Sequence, residues 1–209
     1  MIMLDKKMKL VFTLIGSIFF AISLNAKEAS TNLLNAGEKW YKEDLKFPLK
    51  FAREIKFVGD VNLRFPPGWS KSDNPNFWSY VWAWKIEDSD GLNESELKQN
   101  IEYYFDGLLG INNKKIKNSK RAKQKTNANF VLSRKSKMTS QYVGEVNTID
   151  TRYTKQPMTL FVQVEQYFCE KENKSTLLFR YSPKPYEHSV WKTLSSVELV
   201  SVQCKGGTK

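Results

Sequence analysis

The decapeptide Phe77–Ile86 (FWSYVWAWKI) constrains the fold more than any other stretch of the chain. Trp78, Tyr80, Trp82 and Trp84 recur at every second position, the period of a β-strand, so all four rings belong on one sheet face. Phe77, Val81 and Ala83 make the opposite face apolar as well. A strand apolar on both sides belongs in the middle of a sheet, with a layer of structure above and below it. The ring row then has two readings. As core, it packs beneath a helix; as a ligand platform, Tyr80, Trp82 and Trp84 stack on sugars, lipid tails or aromatic groups.

The rest of the chain supplies those layers. Val61–Phe65 alternates like a strand and stops at Pro66-Pro67-Gly68. After an acidic turn, Glu87-Asp88-Ser89-Asp90-Gly91, Asn93 can cap a helix with Glu96 completing a capping box. Leu97, Ile101, Tyr104, Phe105 and Leu108 form its apolar stripe, and Gly110 ends it. Strands are expected at 130–137, 142–151, 159–169 and 175–181, joined by short turns at Gln156-Pro157 and EKENK. A last helix over 187–197 turns Val190, Trp191, Leu194 and Val197 inward. Short connections imply antiparallel pairing. The expected fold class is α+β: one domain with a single twisted, mainly antiparallel sheet flanked by helices. Before it, residues 27–58 read as a helical entry segment: Leu33, Leu34, Trp40, Tyr41 and Leu45 at loose helical spacing, then a short helix begun by Pro48.

The start of the chain carries an address. Asp5, Lys6, Lys7 and Lys9 precede an apolar run from Leu10 to Leu24, and Asn25-Ala26 leads into polar KEAST. That is the layout of a cleavable secretory signal. The expected cut follows Ala26, with Ser23 as the alternative. The apolar run falls short of the roughly 20 residues that a spanning helix needs, so no membrane span is expected after cleavage. The expected divisions are thus a leader over 1–26, the entry segment over 27–58, the domain over 59–204 and a tail over 205–209. Cys169 and Cys204 both fall in the exported part, and two cysteines in an oxidising compartment most simply pair with each other. The location expected is periplasmic or secreted.

Several phrases add a resemblance. RFPPGW at Arg64–Trp69, FWSYVWAWKIED with the downstream YYFDGLLG helix, GEVNTID at Gly144–Asp150, and YSPKPYEHSVWKTL with Cys204 resemble a family of exported bacterial proteins to which no activity is assigned. The likeness runs from about Phe51 to Cys204 and implies a secreted single domain, with nothing catalytic. The PPGW turn after a strand and the Ser-Pro entry to the last helix also resemble the PsbP-like α/β/α sandwich. Fold likeness of that kind does not carry function across.

Chemistry is sparse. The chain lacks GxSxG, HExxH and Gly-rich phosphate-loop patterns. His188 is the single histidine, without a serine motif to serve, and one histidine with two cysteines does not fill a zinc site. No metal or other cofactor is expected. Glu87, Asp88 and Asp90 are the carboxylates a carbohydrate hydrolase would draw on; acids in a turn before a helix also favour the helix N-terminus.

Charge is the stronger signal. The net charge is +11, and removing three lysines and one aspartate with the leader leaves about +9. Residues 112–137 hold ten Lys or Arg and no acid, with Lys114, Lys115, Lys117, Lys120, Arg121, Lys123 and Lys125 as the candidate anion contacts. Such lysines also keep strand edges from pairing with other chains. Export makes nucleic acid a poor partner; lipid headgroups, acidic glycans or a protein partner fit better. The function expected is a non-catalytic binding or accessory protein of the bacterial envelope, with an envelope hydrolase as the alternative.

Overall fold

The computed structural model describes residues 31–88, 90–110 and 125–200. The leader, Cys204, Ser89 and all the candidate anion contacts except Lys125 lie outside them. Nine strands and two helices are described: β1 (Leu34–Asn35), β2 (Tyr41–Phe47), β3 (Gly59–Phe65), β4 (Tyr80–Ile86), α1 (Glu94–Leu109), β5 (Asn127–Lys135), β6 (Thr139–Ile149), β7 (Pro157–Cys169), β8 (Lys174–Ser182), α2 (Val190–Ser195) and β9 (Glu198–Leu199). Seven strands form one sheet in the order β2-β3-β4-β8-β7-β6-β5, every neighbouring pair antiparallel. β1 pairs with β9 in a separate two-stranded ribbon.

The aromatic strand sits near the centre, as its two apolar faces require. Tyr80, Trp82, Trp84 and Ile86 of β4 join Leu97, Ile101, Tyr104 and Phe105 of α1 in the larger core. Val81 and Ala83, pointing the other way, join Leu33, Leu34 and the α2 residues Val190, Trp191 and Leu194 in a second core. The capping box at Asn93 and Glu96 is formed on both sides, and Gly110 closes α1 in the left-handed conformation. Leu108 departs from the expected stripe: it is exposed and Leu109 is buried instead. At Gly107, also buried, an added Cβ would stand 2.4 Å from the Phe51 carbonyl oxygen. The segment between β2 and β3 rests on that side of the helix.

That segment and β2 correct the expected helical entry. Residues 41–47 form an edge strand registered on β3 from Tyr41↔Phe65 to Phe47↔Gly59. Tyr41 to Asp44 face solvent, so the stretch lacks the alternation that marks a half-buried strand, and pairing overrides its helix-forming composition. Residues 49–55 form two consecutive β-turns spaced three residues apart, Ala52 N–H to Leu49 C=O and Ile55 N–H to Ala52 C=O, in place of a helix. β2 belongs to the same sheet as β3 to β8, so the expected boundary at residue 59 falls within one sheet. Gly59 itself has φ 144°, and a Cβ there would collide with the Lys85 carbonyl.

Two buried arginines fasten the second core to the sheet. Arg64, 1 % exposed, pairs with Asp44 at 2.6 Å and donates to Leu63 O and to Asn32 Oδ1. Asn62 Oδ1 in turn accepts the Leu33 N–H at 2.6 Å, which holds the chain entering β1. Arg180 pairs with Glu165 and donates to the carbonyls of Leu194 and Val197 at the end of α2. Each satisfies carbonyls or amides that would otherwise be buried without partners.

Candidate functional site

The ligand-platform reading of the aromatic row does not survive. Trp82 and Trp84 are 0 % exposed and Tyr80 is 3 % exposed. Trp82 lies against Tyr104 of α1 at 4.2 Å between ring centroids and meets Trp84 edge to face at 4.6 Å. No ring face is left for a ligand; the row is core. Burial also pushes the hydroxyls of Tyr80, Tyr104 and Tyr181 well above the usual tyrosine range. The Nε1 atoms of Trp82 and Trp84 are buried with no hydrogen-bond partner among the described residues. Edge-to-face packing of indoles sets a ring edge against a π face, which offsets part of that cost.

Trp78 leaves the row altogether. Its φ of 52° precedes the start of β4, and its N–H bonds back to Trp69 O at 2.9 Å. It joins Trp69, Phe77 and Tyr153 in a half-buried cluster at the end of the sheet. Asp150 holds the Tyr153 loop: its carboxylate accepts the backbone N–H of Arg152, Tyr153 and Thr154 and the Thr154 hydroxyl. Burial alone would raise this carboxyl, but those bonds outweigh it and hold it below the usual range.

The sequence-predicted acids and histidine have structural work. Asp88 Oδ1 accepts from the N–H of Asp90 and of Gly91, and Asp88 O accepts from Ser175 Oγ, so this carboxylate shapes the turn into α1. His188 Nδ1 accepts the Val190 N–H at the start of α2. Glu87 is the one acid of that group that lines a cleft.

This cleft, about 510 Å³, opens at the β2–β3 and β4 ends of the sheet. Lys46, Asp60 and Lys85 line it from three adjacent strands, paired Lys46↔Asp60 and Asp60↔Lys85. Lys174 and Glu87 complete the charged lining, and Lys85 also reaches Glu172 at 3.4 Å. Sequence reasoning missed this group because its members lie in separate strands and meet only through register. General-acid hydrolysis calls for a carboxyl in apolar surroundings; Asp60 and Glu87 stand among three lysines instead.

The distribution of charge singles out a different region. The described residues carry 21 Lys or Arg and 20 Asp or Glu, close to balance. Residues 111–124 carry six and none. The described residues on either side of them meet on one residue of α1: the Gly110 N–H bonds to Asp106 O, and the Thr126 N–H bonds to Asp106 Oδ1 at 2.8 Å. Burial raises the Asp106 carboxyl against the opposing pull of the Thr126 bonds. Just beyond, Ala128 of the edge strand β5 gives its N–H to Glu102 and takes a bond from Lys98, an ion pair of α1. Lys125, the one described member of the basic stretch, is exposed at this base.

The fold and these sites define a one-domain α+β protein built on a seven-stranded antiparallel sheet. No family model, curated protein or solved structure matches the chain. Among the described residues there is no helix long and apolar enough to cross a membrane, and no cluster of metal-ligating side chains.

Proposed function

We propose that the chain is an exported, non-catalytic binding or accessory protein of a bacterial envelope, periplasmic or secreted, which contacts an anionic component through basic side chains. One observation carries the reading: residues 111–124 hold six Lys or Arg and no acid, whereas the described residues are close to charge balance. Six cations within fourteen residues favour multivalent contact with an anionic surface or polymer. The architecture that goes with this reading is a twisted sheet flanked by helices. Export follows from the Leu10–Leu24 leader, and the resemblance described above agrees with it.

A partner strand on the sheet edge is the weaker reading. Lys98 and Glu102 already occupy the backbone of Ala128, and a bulge interrupts β5 between Leu132 and Arg134.

The test is titration of the exported protein against dextran sulfate, for the wild type and for a variant with Lys114, Lys115, Lys117, Lys120, Arg121 and Lys123 changed to Gln. Binding that depends on those six residues and weakens as salt rises is expected. Equal binding by the two proteins would overturn the proposal.

A further inference from the structure

The segment between β2 and β3 has a period of three. Leu49, Ala52 and Ile55 are buried, and Lys50, Arg53 and Lys56, each one residue on, are exposed. The two β-turns produce this alignment, because their three-residue spacing returns the same position to the same side. The inner side is fixed. Phe51 packs edge to face on Tyr104 at 5.3 Å, and its carbonyl lies in the notch left by Gly107.

The outer side holds a groove of about 410 Å³. Its apolar part is Pro48, Leu49, Phe57 and Val58; Lys50, Arg53 and Lys56 complete the lining, and no acid lines it. Val58, at the rim of this groove, is 56 % exposed. Cations beside an apolar groove match an amphiphile whose phosphate meets the charges while its glycerol and upper acyl region meet the groove. A soluble polyanion has no use for the apolar part, and an acidic peptide would leave Val58 uncovered.

We infer that residues 48–58 are a docking surface for an anionic phospholipid bilayer. The inference rests on the reading of an anionic envelope partner and names that partner.

Vesicle co-sedimentation tests it. The exported protein is mixed with vesicles of phosphatidylcholine alone or with phosphatidylglycerol in equal part. The variants are Lys50→Gln/Arg53→Gln/Lys56→Gln, Val58→Ser, and the six-residue neutralisation of 111–124. Lys50, Arg53, Lys56 and Val58 are all exposed, and tryptophan fluorescence checks that the core stays closed. Each cation near an anionic surface is worth about a fivefold change in affinity, so the triple variant should lose about a hundredfold on phosphatidylglycerol vesicles. Val58→Ser should weaken binding further than glycerol phosphate competition can explain. Equal binding to phosphatidylcholine vesicles, no loss in the triple variant, no effect of Val58→Ser, or full competition by glycerol phosphate would each overturn the inference. Salt-sensitive dextran sulfate binding without vesicle binding would sink the lipid surface alone; absence of both would sink the broader reading too.

Discussion

Replacing Trp82 by alanine should unfold the protein far more readily, and the structure sets how much. The side chain is 0 % exposed and touches Trp84, Tyr104, Phe179 and Tyr181. Deleting a buried tryptophan costs about 3–5 kcal/mol in lost transfer energy and cavity formation. Removing the unpartnered Nε1–H returns about 1–3 kcal/mol of that. Edge-to-face packing already offsets part of the N–H cost, so the return is near its low end of about 1 kcal/mol; a net loss of roughly 2–4 kcal/mol remains, which lowers the melting temperature by about 4–16 °C in a domain of this size. Trp82→Phe separates the two terms. It keeps most of the ring contact and removes the N–H, so its cost should stay below about 1.5 kcal/mol. Urea denaturation followed by circular dichroism measures both. Should Trp82→Ala leave the midpoint unchanged, or Trp82→Phe prove as costly as alanine, the sealed-core account of the aromatic row is wrong.

Three further outcomes follow from particular contacts. Asp150→Ala should cost about 2–3 kcal/mol at neutral pH by orphaning three backbone N–H groups. Because the folded protein holds this carboxyl below its unfolded value, its contribution is present above the unfolded pKa near about 4 and is lost as pH falls through the folded value; acid titration of both proteins should show the gap closing. Gly107→Val should displace the 48–58 segment, since the new Cβ would stand 2.4 Å from a backbone oxygen; amide exchange at Ala52 and Ile55 should accelerate. A Cys169–Cys204 disulfide should protect both thiols from alkylation unless reductant is added, and Cys169→Ser should cost about 3–4 kcal/mol for a loop of about 35 residues. The direction of β9 favours it: antiparallel to β1, it heads toward the end of the sheet where Thr31 and Lys174 share a cleft and where β7 ends at Cys169.

What the sequence revealed was local. Asn93 with Glu96 and Gly110 bracket α1 within their own neighbourhood, and the period of two in β4 needs no partner to be read. β2 was hidden because an edge strand exposes Tyr41–Asp44 and declares itself only by pairing with β3. Arg64 and Arg180 gave no hint of burial, since Asp44 and Glu165, the acids they need, lie 20 and 15 residues away. The aromatic row was legible as a face, but whether that face is open depends on where α1 lands. The period of three at 49–56 was present in the sequence and fits neither the helix nor the strand template.

The most direct measurement is the slope of log affinity for dextran sulfate against log salt, compared between the wild type and the chain neutralised at its six basic positions within 111–124. Release of counterions by those six charges predicts a wild-type slope steeper by up to about five. Parallel lines for the two proteins would contradict the account, because the charge excess would then play no part in binding.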